Sequence, residues 1–157
     1  MDGERTNKVY NLFERVTGKE LNMKKYVHRL LLQKIVYLVQ VMGFNFNYNY
    51  GWYIKGPYCT RLASESFEFF ENNLIQKKSR FSEKEEKIIK KLKQLFQEEI
   101  KSEEDMELLG SLVFVKRDMQ EKEKSQITRK LHSLKPLFEQ KNIDKMFDKI
   151  EESKLFN

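Results

Sequence analysis

The sequence predicts a mostly α-helical domain of six or seven helices, with one short antiparallel β-ribbon between the second and third. Three observations carry that expectation. Apolar residues recur every three to four positions over most of the chain. Only one stretch, "FNFNYNY" at 44–50, alternates strictly. Six glycines and two prolines among 157 residues are too few for long linkers. The length suits one ordinary domain, and residues 1–157 are read as one.

The first helix is "TNKVYNLFERV". Val9, Leu12, Phe13 and Val16 share a face, and Thr6 is placed as its N-cap. The second is "MKKYVHRLLLQKIVYLVQVM", stopped by Gly43. From Leu30 onward it is apolar nearly all round, which assigns it to the centre of the fold. Lys34 falls among Leu30, Leu38 and Val41. Its stem is expected along the core, with the ammonium reaching out to water.

In "FNFNYNY", Phe44, Phe46, Tyr48 and Tyr50 face one way and three asparagines the other, the pattern of a strand with one buried face. "WYI" is expected to pair back on it. Gly56 and Pro57 then turn strand into helix, with Pro57 in the first helical turn. The third helix, "YCTRLASESFEFFENNL", offers Leu62, Phe69, Phe70 and Leu74 as its inner face.

"SEKEEKIIKKLKQLFQEEI" opens on a capping box, Ser82 with Glu85, and carries Ile88, Ile89, Leu92, Leu95 and Phe96 as its stripe. Ser102 and Asp105 open the next helix, which turns almost wholly apolar after Met106 and is placed inside. "KSQITRKLHSL" stops before Pro136. "NIDKMFDKI", capped by Asn142, closes the chain.

The net charge of +6 is unevenly spread. Residues 1–60 hold nine Lys and Arg against four Asp and Glu, whereas residues 61–157 hold 21 against 20. A local basic face attracts nucleic acid or an acidic protein. A single cysteine, Cys59, rules out an internal disulfide and a multi-thiolate metal site, and a reducing cytoplasm fits. "LLLQKIVYLVQVM" is too short and too polar to span a bilayer. His28 and His132 lack metal-ligand spacing, and no glycine-rich phosphate loop is present. Cys59 with His28 is the one pair that would make a thiolate nucleophile, and a buried structural cysteine is the stronger reading. Neither a cofactor nor an enzymatic activity is expected.

Positions 44–58 hold seven aromatics. Their alternation favours burial over a stacking platform, with Trp52 and Tyr58 left partly exposed. The helix start after Gly56 and Pro57, beside Lys55 and Arg61, would suit an anion, although a plain junction is the stronger reading.

These residues resemble a known family. "LLLQKIVYLVQVMG" followed by "YGWYIKGPYCTRLASE" is similar to the Panacea-domain family, the SocA-like antitoxin group. The helix motif runs from Leu32 through Gln33, Lys34, Ile35, Val36 and Tyr37 to Leu38, and the junction motif is Trp52, Tyr53, Gly56, Pro57, Tyr58 and Leu62. "ELLGSLVFV" and "KLHSLKPLFEQKNIDKMFDKI" resemble the closing segments, where a lysine-proline step precedes the last helix. Where the family has serine after Gly-Pro-Tyr, this chain has Cys59, a poorer helix cap, and Thr60 is expected to replace it.

The resemblance implies a small helical domain acting by protein contact, as an antitoxin or adaptor in toxin–antitoxin or phage-defence settings. Its partner would be a toxin-like or acidic protein. Gln33, Lys34, Trp52, Tyr53, Gly56, Pro57 and Leu62 are expected to be structural. Lys25, Arg29, Lys55, Tyr58 and Arg61 are the expected contact residues. The alternative is a nucleic-acid-binding regulator that uses the basic N-terminal face.

Overall fold

The structure, a computed structural model, describes residues 3–74, 76–119 and 122–157. It is mostly helical, with a two-stranded antiparallel ribbon between the second and third helices, as the periodicity predicts. In order come α1 (Gly3–Thr17), α2 (Tyr26–Val41), β1 (Gly51–Tyr53), β2 (Gly56–Tyr58), α3 (Thr60–Glu71), α4 (Glu83–Leu95), α5 (Gln97–Ile100), α6 (Glu103–Asp118), α7 (Lys124–Leu134) and α8 (Gln140–Ser153). Eight helices are thus seen among the described residues, because the α4 stripe breaks at Phe96 and its tail forms the single turn α5. None of them is long and apolar enough to cross a membrane.

α2 is the central rod, buried without interruption from Leu30 to Val39. It packs against α6, whose residues from Leu108 to Val113 are likewise all buried. Two buried, largely apolar surfaces meeting in this way supply much of the hydrophobic stabilisation of the fold. α1, α3 and α4 gather on one side of α2, and α7 and α8 cover α6. Phe96 and Phe156 lock the closing turn, with ring centroids 5.7 Å apart.

Several helix ends differ from expectation. α1 already includes Thr6, which is fully buried rather than a cap. α8 starts at Gln140 with Glu139 as N-cap, so Asn142 lies within its first turn. α3 starts at Thr60, and Cys59 is the N-cap after all: its Sγ accepts the Leu62 N–H at 3.4 Å. Thr60, expected to replace it, is instead the first residue of the helix. Pro57 therefore lies in β2 and not in a helical turn. Leu74 and Leu95 are 46% and 43% exposed, off the inner faces assigned to them. Ser82 and Glu85 form the full reciprocal capping box, and Ser102 Oγ accepts the Asp105 N–H at 3.2 Å.

The aromatic segment is the largest departure. Burial alternates as predicted: Phe44, Phe46 and Tyr48 are buried and the three asparagines exposed. Residues 44–50 nevertheless form no strand; the ribbon pairs Gly51 with Tyr58, Trp52 with Pro57 and Tyr53 with Gly56. Asn47 sits at φ 63°, which breaks any regular strand. Side chains replace the missing ladder. Gln40 Oε1 accepts the Tyr48 N–H at 2.9 Å, and its Nε2 donates to the Tyr48 carbonyl at 3.1 Å. Arg5 donates to the Phe46 carbonyl at 3.2 Å. A primary amide presents a donor and an acceptor side by side, so it can act as one rung of a β-ladder.

Candidate functional site: a cationic apolar cleft between α2 and the ribbon

The ribbon is held against α2 by the motif residues themselves. Gln33 clamps Cys59 as Gln40 clamps Tyr48: its Oε1 accepts the Cys59 N–H at 2.8 Å and its Nε2 donates to the Cys59 carbonyl at 3.0 Å. Tyr50 donates its hydroxyl to the Gln33 carbonyl at 3.2 Å. Lys34 donates from Nζ to the Pro57 carbonyl at 2.8 Å.

Lys34 does not reach water. It is 1% exposed, because α6 and the ribbon cover its end as well as its stem. Gly110 on α6 makes room: a Cβ there would lie 3.1 Å from Lys34 Cδ and 3.5 Å from Pro57 Cγ. Burial, helped by the charges of Lys135 and Lys55 and opposed by Glu107, brings the Lys34 ammonium down to about 7.

The tip of the ribbon is tied from the other side. Lys135, 8% exposed, donates to the Ile54 carbonyl at 2.6 Å and to Glu107 at 2.8 Å. Its ammonium lies 5.3 Å from the Trp52 ring centre, within cation–π range. Gly56, at φ 95°, takes the tight turn, and a Cβ there would come within 2.3 Å of Ser111 Oγ. Four anchors thus fix the chain from Tyr48 to Cys59. Sequence reasoning missed Gln40, Glu107, Lys135 and Ile54. The i,i+7 spacing of Gln33 and Gln40 was the available signal for the first of these.

Between the ribbon and the N-terminal half of α2 lies a cleft of about 270 Å³. Leu30, Leu32, Met23 and Ala63 line its interior, and Gln33 and Lys34 contribute as well. Its walls carry three exposed apolar side chains: Tyr26 and Tyr53, each 49% exposed, and Ile54 at 90%. The charged residues that line it are Arg29, Lys34 and Lys55, all cations.

Arg29, Lys55 and Tyr58, three of the five expected contact residues, line this cleft. Arg29 donates to the Met23 carbonyl at 2.9 Å and lies 5.9 Å from the Tyr26 ring centre. Lys55 is exposed, 3.8 Å from Glu107. Tyr58 is half-buried, with its ring 5.0 Å from that of Tyr53. Lys25 is exposed as the N-cap of α2, next to the cleft residue Tyr26 but outside the lining. Arg61 also stands outside, turned to Glu65 at 3.2 Å. Of the structural set, Leu62 is fully buried, Pro57 and Gly56 are buried, and Trp52 is half-buried.

Arg61 belongs to a second polar centre. Buried Glu65 accepts from Arg5, from Arg61 and, at 2.8 Å, from the Tyr48 hydroxyl. Burial raises the Glu65 carboxyl, but the bonds from Arg5 and Tyr48 outweigh it and hold the group below its ordinary value. This centre joins α1, the aromatic arm and α3; at the α3 N-terminus Gln33 and Cys59 take the Cys59 and Leu62 amides.

The thiolate pair is not assembled as a reactive one. Cys59 is buried and engaged as a cap. His28 is buried and accepts the Asn22 N–H on Nδ1 at 2.9 Å. Among the described residues no group of three or more His, Cys, Asp or Glu is placed to hold a metal ion.

Set against family models, curated proteins and solved structures, the chain has no match.

Proposed function

We propose that this chain is a non-enzymatic protein-interaction module, antitoxin-like or adaptor-like, that docks its partner on the cleft between α2 and the ribbon. One observation carries the reading: exposed apolar side chains converge on a cleft whose lining charges are all cations, on a backbone fixed by four side-chain anchors. Exposed apolar groups cost solubility, and their grouping around a concavity is what a binding surface needs. A fixed backbone reduces the entropy lost on docking. The likeness to the Panacea-domain family supports the same reading, and its helix motif supplies two of the four anchors, Gln33 and Lys34.

The experiment is site-specific photo-cross-linking in the native host. A benzoyl-phenylalanine placed at Ile54 should capture a protein, and one placed at Leu137, 97% exposed but off the cleft, should not. Equal capture at both positions, or none at 54, would overturn the reading.

The second reading, a nucleic-acid-binding regulator, draws on Tyr26 and Tyr53 lining the cleft with Arg29, and on Lys24 and Lys25 exposed just before Tyr26. It loses Phe44, Phe46 and Tyr48 as stacking rings, since all three are buried. It requires retention of DNA or RNA at low salt that falls steeply as salt is raised.

A further inference from the structure

We infer that the cleft takes a short acidic segment of a partner protein, anchored by one large apolar side chain. The inference deepens the docking reading above and rests on it. Size comes first. About 270 Å³ is below the range of drug-sized ligand clefts, so the interior holds one or two side chains and not a whole helix face. Its interior is Leu30, Leu32, Met23 and Ala63, which rewards an aromatic or branched aliphatic group.

Charge decides what flanks that anchor. Arg29 and Lys55 line the cleft, and Lys24 and Lys25 are exposed just before Tyr26 on its wall. Asp and Glu are missing from the lining residues. The carboxylate close to Lys55 is Glu107, which lies 3.8 Å from it and is already bonded to Lys135 at 2.8 Å. A basic segment would meet like charge on both sides of its anchor, whereas carboxylates on either side would meet Arg29 and the Lys24–Lys25 pair or Lys55. Ile54, at 90% exposure, stands at the ribbon tip beside Lys55, where an incoming chain must pass.

The test is a selection of random twelve-residue peptides displayed on phage against the immobilised full chain. Selected peptides are then synthesised and titrated by fluorescence anisotropy. Four proteins are compared: the native chain, Ala63→Trp, which fills the cleft, and the pair Ile54→Glu and Ile54→Lys. The expected peptides carry Trp, Phe or Leu flanked by Asp or Glu. Ala63→Trp and Ile54→Glu should each weaken them at least tenfold, and Ile54→Lys should leave them within about threefold. Position 54 is so exposed that both of its variants fold, and they decide the matter if Ala63→Trp does not. Peptides that need the cleft but carry no acidic residues, or that Ile54→Glu and Ile54→Lys weaken alike, overturn the acidic chemistry and leave the docking reading standing. Peptides indifferent to all three variants overturn both. An empty selection overturns the inference, and cross-linking at position 54 then judges the docking reading by itself. Displacement of a selected peptide by equimolar decanoate would reassign the cleft to small anionic amphiphiles. Self-association abolished by Ile54→Glu would reassign it to a second copy of the chain.

Discussion

Two neighbouring stretches of the chain, each dense in aromatic residues, have opposite fates. The arm at 44–50 hides Phe44, Phe46 and Tyr48, while the ribbon at 51–58 leaves Tyr53 and Ile54 in water. Both are rich in rings, both lack helix, and both are bonded to α2 through side chains. The difference is geometric. The arm runs along the core with its rings all on one side, and Phe44 and Phe46 stack at 4.8 Å. The ribbon doubles back within eight residues, so its tip projects from the body and cannot bury what it carries. Aromatic content therefore says little about burial until the path of the backbone is known.

The sharpest way to break the comparison is to truncate one large apolar side chain to alanine in each stretch. Phe46→Ala should cost about 3–5 kcal/mol of stability in urea titrations, the usual loss for a buried phenylalanine. Ile54→Ala should stay within about 0.5 kcal/mol. Similar losses at both positions would mean that the ribbon tip packs as the arm does.

Next in size are the clamps. Gln33→Ala leaves the buried Cys59 N–H without a partner and its carbonyl with the Ala63 N–H alone, and should cost about 1–3 kcal/mol. Gln40→Ala should cost less, because its bonds to Tyr48 are only partly buried. A larger loss at Gln40 would show that the arm depends on its clamp more than the ribbon does.

Lys34 gives a pH signature that belongs to the ribbon alone. Its ammonium ionises at about 7 in the folded protein and at 10.5 when unfolded. Below pH 7 both states are charged, and the folded protein bears the whole cost of the buried charge. Between pH 7 and pH 10.5 the unfolded state holds the extra proton, so stability rises with pH across that window. Relative to Lys34→Met, the native chain should gain stability from pH 7 to pH 10 in parallel urea titrations. A constant gap would show that Lys34 is not buried as described.

The smallest effect on stability is expected at the rim. Lys25→Glu with Arg29→Glu should leave the melting temperature within a few degrees, because a carboxylate at the start of α2 is favoured by the helix dipole. Capture of the partner at position 54 should fall sharply in the same double variant. Unfolding would show that Arg29 holds the α2 entrance through the Met23 carbonyl and is not there for contact.

Periodicity made the helices, the central place of α2 and the position of the ribbon legible, because burial of a regular element leaves a regular trace. It could not reveal how the irregular arm is satisfied. The arm's alternation is that of a strand, yet its partners are the side-chain amide of Gln40 on the preceding helix and the guanidinium of Arg5, 41 residues before Phe46, and not a second strand. Lys34 was misread for a related reason. Its neighbours in α2 announce burial of the stem, but only the gap at Gly110 on another helix tells where the ammonium goes. Of the site, the cations Arg29 and Lys55 were readable as local positive charge. The cleft itself was not, since it arises from the angle between ribbon and rod.

The paired amides of Gln33 and Gln40 have one more consequence. They are seven residues apart, which is close to two helical turns, so both point toward the same loop. The spacing works as a gauge of length. Inserting one residue between them would swing one peg about 100° away from its notch. Many individual side chains of this rod could change over evolutionary time, but the interval between its two pegs could not, and related chains should show gaps on either side of it and none within.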